Sequence, residues 1–150
     1  MSALTVGEQA PQVAGIDFGP TPSVLWFFKV TCPVCQMSAP KIEIVDRAFP
    51  GLVTGVGQDP AEELAAFGAE HGTAIRTFPD VDPYPVSNAY RIDVVPTLVV
   101  VAPGGEVVDV VESWSREGYN RGAAKIAELA GAEPVVVSAS SDGLPPFRPG

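Results

Sequence analysis

A continuous apolar segment of this chain leads directly into two closely spaced cysteines. Positions 24–28 read Val-Leu-Trp-Phe-Phe, a pattern typical of a strand buried on both faces of a sheet. After Thr31, a residue type that often caps helices, apolar side chains recur at helical spacing over positions 34–49. Cys32 and Cys35 therefore lie where a buried strand is followed by the first turn of a helix. Such a strand needs a covering layer on each face, which favours a layered α/β fold.

The remaining segments alternate between strand-like and helix-like patterns, which predicts a sheet between layers of helices. Asp59 is predicted to cap the second helix, with Pro60 in its first turn and Glu62 as the capping-box acid. Turn-forming residues at 103–105 predict a hairpin between two strands. The other predicted elements are strands at 52–57, 97–101 and 106–113, a short strand within 73–85, a helical turn at 86–91, and helices running to His71 and from Ser115 to Gly131.

The chain is long enough for one domain with its own core. It has 150 residues, of which 46% are hydrophobic and 18% charged, values typical of a globular protein. We expect that domain to span residues 1–132. Half of the tail, residues 133–150, is Pro, Gly or Ser, so the tail is not expected to form a core of its own. Its apolar residues, Val135–Val137 among them, favour a tail that packs back and adds a strand, while its composition also suits a flexible terminus.

Charge and the length of the apolar runs exclude two classes of function. The chain carries 9 Lys and Arg against 18 Asp and Glu, a net charge of −9, so phosphate neutralisation cannot drive nucleic-acid binding. Its longest apolar runs are far shorter than the roughly 20 residues that a membrane-spanning helix needs. Residues 1–13 lack the basic and apolar regions of a secretory signal, which predicts a cytoplasmic protein. A trimmed leader replaced by a new Met1 would leave the same pattern.

The position of the cysteines predicts thiol chemistry. The partial positive charge and unpaired amides of a helix start favour a thiolate at Cys32 and lower its pKa from about 8.5 into a range of roughly 3.5–7.5. Cys35, one turn further along on the inner face, is placed to attack a mixed disulfide formed at Cys32. Two buried thiols without a role are the plain alternative. A structural zinc site needs about four ligands, and His71 is the chain's only histidine, so no metal is predicted and His71 is taken as a solvated helix-end residue.

Several short motifs together resemble the thioredoxin fold. They are Cys32-Pro33-Val34-Cys35 followed by Met37, Ala39 and Pro40, and Val95-Pro96-Thr97 at the start of a later strand. The segments Val6–Pro11 and Val53–Asp59 are similar to those of the redoxin branch, which contains the TlpA/ResA-like disulfide reductases and the peroxiredoxins. The resemblance covers about Thr5 to Gly131. It implies a three-layer α/β/α sandwich with a mixed central sheet and an N-terminal extension.

The resemblance also implies a role for each residue of the motifs. Cys32 is the attacking thiol, Cys35 the resolving thiol, and Pro96 a cis-proline beside them. Val95, the residue before that proline, pairs its backbone with a bound substrate strand. Without the resemblance, Pro96 would be taken as a trans proline that begins a strand. The residues expected to support the substrate site are Thr31, Pro33 and Val34.

Two positions differ from those of thioredoxins. Thr31 stands where many thioredoxin-like proteins have Trp, which predicts a smaller and more polar surface beside the first cysteine. Trp26 stands where thioredoxins carry a buried acid, so no proton-accepting carboxylate is evident. Lys29 is the nearest cation, and it either supports the thiolate or is simply an exposed residue at the strand end. Pro33 removes one helix-start amide, which argues against an extremely low pKa of the Cys32 thiol.

We therefore expect a thiol:disulfide oxidoreductase that reduces protein disulfides through the Cys-Pro-Val-Cys dithiol. Its substrates would be protein disulfides or small thiols and disulfides, with a separate electron donor, no cofactor beyond the redox-active disulfide itself, and a monomeric chain. A peroxiredoxin-like peroxidase is the first alternative, but it requires Thr or Ser three residues before the reactive cysteine, where Lys29 precedes Cys32. A non-enzymatic binding module with a structural disulfide is the second, and ready reduction by dithiothreitol in the folded state would exclude it.

Overall fold

A five-stranded mixed sheet forms the centre of the molecule. The computed structural model describes residues 3–13 and 15–150. Met1 and Ser2, which belong to the segment 1–13 used to predict a cytoplasmic protein, lie outside the described residues. The strands are β1 (Ser23–Phe28), β2 (Val53–Gly57), β3 (Arg76–Pro79), β4 (Thr97–Val101) and β5 (Val107–Glu112). They lie in the order β3-β2-β1-β4-β5, with β2 parallel and β4 antiparallel to the central β1. The predicted α/β class with a mixed central sheet is confirmed.

Alternate residues of β1 belong to two separate layers of the core. Val24, Trp26 and Phe28 pack on one face of the sheet, and Leu25 and Phe27 pack on the other. Because both faces are covered, the position where β1 ends is fixed deep inside the fold. The loop that follows β1 therefore starts from a rigid point.

Helices cover the two faces unequally. The first face carries α1 (Pro33–Ala48), α2 (Ala61–His71) and α4 (Arg116–Ala130), while the second carries the short α3 (Pro85–Ala89) and the N-terminal segment. None of the helices in the described part of the chain combines the length and the apolar composition that crossing a bilayer requires. The predicted helices and strands of the domain agree with the observed ones to within a few residues.

The N-terminal segment pairs with the turn before β5. The Gly7 N–H donates to the Val107 carbonyl, and the Ala10 N–H donates to the Gly105 carbonyl, both at 2.8 Å. These backbone bonds attach residues 3–13 to the edge of the hairpin. The N-terminal extension implied by the resemblance is therefore present as an ordered layer.

The C-terminal tail packs back on the domain. Two residues of the tail, β7 (Phe147–Arg148), pair antiparallel with β6 (Trp114–Ser115), which lies between β5 and α4. The Trp114 indole N–H donates to the Pro145 carbonyl at 2.8 Å, and the Arg116 backbone N–H donates to the Pro146 carbonyl at 3.0 Å. The tail therefore forms a second, two-stranded sheet with the domain.

The strand predicted at Val135–Val137 is wrong. The Val137 backbone N–H donates to the Asn120 side-chain oxygen at 2.8 Å, so its amide is bonded to a side chain of α4 rather than to a strand. The two neighbouring valines differ in burial, because Val137 is 2% exposed and Val136 is 70% exposed. Docking of this segment therefore depends on one buried side chain and on bonds to α4.

This contrast predicts how single substitutions in the tail act on stability. Val137→Ala removes two methyl groups from a buried site and is expected to lower the free energy of unfolding by about 1–3 kcal/mol. Val136→Ala, its matched control, removes the same groups from an exposed site and is expected to change it by less than about 0.5 kcal/mol. Urea unfolding of both variants measures the difference, and equal effects of the two would contradict the docked tail.

Candidate active site

The sulfur of Cys32 caps the first turn of α1. Cys32 is the N-cap residue, with extended backbone angles of φ −82° and ψ 116°, and its Sγ accepts a hydrogen bond from the Cys35 backbone N–H at 3.1 Å. Pro33 is the first helical residue. A proline fits this position because the N–H that it lacks would have no hydrogen-bond partner within the helix. The expectation that Thr31 caps this helix is wrong, because Thr31 lies exposed one residue earlier and the thiol takes the capping position.

Two side chains hold the loop between β1 and α1. The Asp59 carboxylate accepts a hydrogen bond from the Val30 N–H at 2.9 Å, and the Gln36 side-chain amide donates to the Val30 carbonyl at 2.9 Å. The prediction that Asp59 caps α2 is wrong, because Pro60 occupies the N-cap position and the carboxylate points to the other loop. Asp59 thereby ties the start of α2 to the segment that leads into Cys32.

The two cysteines are free thiols in different environments. Cys32 is partly exposed, and a hydrogen bond from the Cys35 thiol lowers its pKa to about 6, helped by the backbone N–H groups of Cys35 and Val34 and opposed by burial. Cys35 is fully buried, and burial raises its pKa, as does its hydrogen bond to the Cys32 sulfur. At neutral pH, Cys32 is therefore mainly a thiolate and Cys35 a thiol.

Val95 and Pro96 lie directly beside the exposed thiol. The Val95 carbonyl oxygen is 3.5 Å from the Cys32 Sγ, although the two residues are 63 positions apart in the sequence. The peptide bond between Val95 and Pro96 is cis, the side chain of Pro96 is buried, and Val95 is half-buried. The structure thus brings the two sequence motifs together. That Val95 pairs with a substrate strand stays a prediction.

A hydrogen-bonded aromatic pair fills the place where thioredoxins carry a buried acid. The Trp26 indole N–H donates to the Tyr119 hydroxyl at 2.9 Å, and both side chains are fully buried. Burial raises the pKa of Tyr119, and the charges of both cysteines act in the same direction. Helical spacing places Tyr119 on an inner face, but it does not show what its hydroxyl contacts.

The other predicted site residues differ in what they can contact. Pro33 is exposed, and its contact with a substrate stays a prediction. Val34 is 5% exposed and packs in the core, so its side chain supports α1 rather than a substrate. Lys29 is exposed directly after β1, which agrees with the interpretation of Lys29 as an exposed residue at the strand end.

Arg148 is a site residue that sequence reasoning missed. Its guanidinium Nη1 lies 3.8 Å from the Met37 Sδ in α1, 111 positions away in the sequence. Its positive charge adds to the effects that lower the pKa of Cys32. No motif pointed to Arg148, because it comes from a tail whose docking position cannot be derived from local spacing.

Side chains that commonly bind metal ions are not clustered in the described part of the chain. Within residues 3–13 and 15–150, the His, Cys, Asp and Glu side chains form no group of three or more that could hold one. His71 lies at the end of α2 with its ring 4.9 Å from that of Phe67, measured between centroids. It is therefore part of a packed aromatic contact rather than a fully solvated residue, which corrects the expectation for this position.

Comparison with known proteins identifies similar folds. No protein-family model and no curated protein matches the chain. Similar solved structures include a candidate protein disulfide isomerase from Bacteroides thetaiotaomicron, DsbF of Mycobacterium tuberculosis, and the thioredoxin domain of a thiol-disulfide oxidoreductase from Bacteroides vulgatus. Their sequence identities are 19%, 28% and 21%, with TM-scores of 0.71, 0.60 and 0.67. The alignments cover 85%, 72% and 83% of this chain and 91%, 82% and 99% of those chains.

The solved structures identify the fold of the chain. The chain has the thioredoxin fold, which confirms the fold that the sequence resemblance implied. The Bacteroides vulgatus neighbour is the thioredoxin domain of a protein named a thiol-disulfide oxidoreductase.

The origin of the low Cys32 pKa can be tested at position 35. Cys35→Ala removes the thiol donor and is expected to raise the pKa of Cys32 from about 6 toward its ordinary value. Cys35→Ser, the matched control, keeps a hydroxyl donor and is expected to hold that pKa lower than the alanine variant does. The measurement is the rate of iodoacetamide alkylation of Cys32 against pH, which rises through the pKa because the thiolate reacts. A wild-type midpoint near about 8.5, or equal midpoints in both variants, would contradict the assignment.

Proposed function

We propose that the protein is a thiol:disulfide oxidoreductase that reduces protein disulfides through Cys32 and Cys35. The observation that carries the proposal is the asymmetry of the pair. Cys32 is partly exposed with a pKa lowered to about 6, while Cys35 is buried one turn further along with a raised pKa. A reachable thiolate and a neighbouring protonated thiol are what two-step disulfide exchange requires.

In the first step, the Cys32 thiolate attacks one sulfur of a client disulfide. A new bond forms between the Cys32 Sγ and that sulfur, the client's own disulfide bond breaks, and its second sulfur leaves as a thiolate that takes a proton from water. The low pKa of Cys32 supports this step, because the attacking species is already ionised at neutral pH. The product is a mixed disulfide between the two chains.

In the second step, Cys35 releases the client. The mixed disulfide no longer carries the negative charge of Cys32, which is one of the effects that raise the pKa of Cys35. Cys35 therefore ionises more readily after the first step than before it. Cys35 loses its proton to water and its thiolate attacks the Cys32 Sγ, so that a Cys32–Cys35 disulfide forms as the mixed disulfide bond breaks. The client sulfur leaves as a thiolate and takes a proton from water. The client gains two electrons and two protons, and the dithiol is oxidised to the disulfide.

A separate dithiol or thiol donor must then reduce the Cys32–Cys35 disulfide. We propose that the chain acts as a monomer in the cytoplasm, with protein disulfides as substrates and no cofactor beyond the cysteine pair. The thiolate of Cys32 stabilises the reduced form, so its pKa also influences the reduction potential. The peroxidase interpretation has less support, because the position three residues before Cys32 holds the exposed Lys29 instead of a hydroxyl.

Trapping of the mixed disulfide distinguishes the attacking thiol, Cys32, from the resolving thiol, Cys35. Reduced Cys35→Ser, incubated with a peptide that contains one disulfide, is expected to accumulate a stable adduct at Cys32 because its resolving thiol is absent. Cys32→Ser, the matched control, is expected to form an adduct at least about 100-fold more slowly, since its remaining thiol is buried and protonated. Mass spectrometry of the adducts measures both. Faster trapping by Cys32→Ser would exchange the roles, and no adduct in either folded variant would refute the proposed function.

A further inference from the structure

The end of the tail lies against the residues that surround the reactive thiol. The Gly150 N–H donates to the Ser113 hydroxyl at 3.0 Å, and the Ser113 N–H donates to the Pro96 carbonyl at 2.8 Å. Gly150 also lies so close to Val95 that a Cβ added to it would collide with the Val95 carbonyl oxygen. That same oxygen is 3.5 Å from the Cys32 Sγ. The tail thus covers the surface next to the sulfur.

A second contact places the tail on the helix side of the thiol. Arg148 reaches Met37 in α1, and its charge acts on Cys32. The segment 147–150 therefore touches the Val95 side through Gly150 and the α1 side through Arg148. A polypeptide that brings its disulfide to the Cys32 Sγ has to pass over the same two contacts.

The covering segment is held less firmly than the tail before it. Residues 147–150 are exposed, and their described bonds are the short β6–β7 pairing and the contacts of Arg148 and Gly150. The preceding part is tied by Asp142, which accepts hydrogen bonds from Ser138 and the Leu144 N–H and pairs with Lys41 at 2.9 Å. The tail is therefore held firmly at Asp142 and more loosely at residues 147–150.

We propose that residues 147–150 occupy the docking surface of an extended client polypeptide and must leave it before Cys32 can react with that client. The proposal rests on the proposed function and adds the class of substrate: a client whose disulfide lies in an accessible, extended segment able to replace the tail along Val95. Small disulfides, which need less of this surface, react while the tail is in place. The tail thereby favours clients that bind the surface well over incidental protein contacts.

The substitution Gly150→Leu tests the proposal without removing Arg148. The added side chain cannot fit beside the Val95 carbonyl, so it displaces the end of the tail. Gly19→Leu is the matched control, because a Cβ at Gly19 meets only open space and its φ lies outside the left-handed region. Deletion of residues 147–150 is the second variant, and it leaves the bonds of Pro145 and Pro146 in place.

All variants are made in the Cys35→Ser background, and formation of the mixed disulfide at Cys32 is followed with two probes. One is a glutathionylated ten-residue peptide, and the other is hydroxyethyl disulfide. Each rate constant is divided by the thiolate fraction of Cys32, so that loss of the Arg148 charge in the deletion variant does not affect the comparison.

We expect Gly150→Leu and the deletion to raise the rate with the peptide by about fivefold to tenfold, because a segment held by a few hydrogen bonds is open only a fraction of the time. The rate with hydroxyethyl disulfide is expected to change less than about twofold, and Gly19→Leu to change neither rate. Unchanged or slower reaction with the peptide, or an equal increase with both probes, overturns the proposal. Absence of any adduct with either probe refutes the proposed function, and this inference falls with it.

Discussion

Two hydrogen bonds from Cys35 to the Cys32 sulfur, one from its thiol and one from its backbone N–H, are the contacts on which the site depends. The first amides of any helix need acceptors, and here one acceptor is the reacting atom itself. The backbone bond therefore begins α1 and stabilises negative charge on the sulfur. The buried strand β1 and the bond from Val30 to Asp59 matter because they hold the chain where these contacts form.

Local sequence patterns were sufficient to predict the strand, the turn and the helix that carry the cysteines, because each of these depends on residues close in the chain. They were not sufficient to choose between Thr31 and Cys32 as the cap, since both side chains can accept a hydrogen bond and the backbone angles decide. Asp59 shows a related difficulty. A carboxylate before a helix can bond to that helix or to another loop, and here the partner, Val30, is 29 positions away.

The position of the tail beside the reactive thiol is the feature that the sequence predicted least well. Its composition allowed both a docked and a flexible segment, and no local signal related Arg148 or Gly150 to the cysteines. Their positions follow from contacts made far along the chain, such as the Trp114 bond to Pro145. Three segments that are far apart in the sequence therefore surround the reactive thiol: the start of α1, the loop that ends at Pro96, and residues 147–150 of the tail.

The proposed function requires that Cys32 and Cys35 form a reversible disulfide in the folded protein. Equilibration in glutathione and dithiothreitol redox buffers, followed by mass measurement of the two cysteines, tests it most directly. We expect a single two-electron transition to a Cys32–Cys35 disulfide with a reduction potential above about −300 mV, the approximate upper limit for structural disulfides. A pair that stays oxidised below that potential, or that forms no intramolecular disulfide in the most oxidising buffer, would rule out this role for the two cysteines.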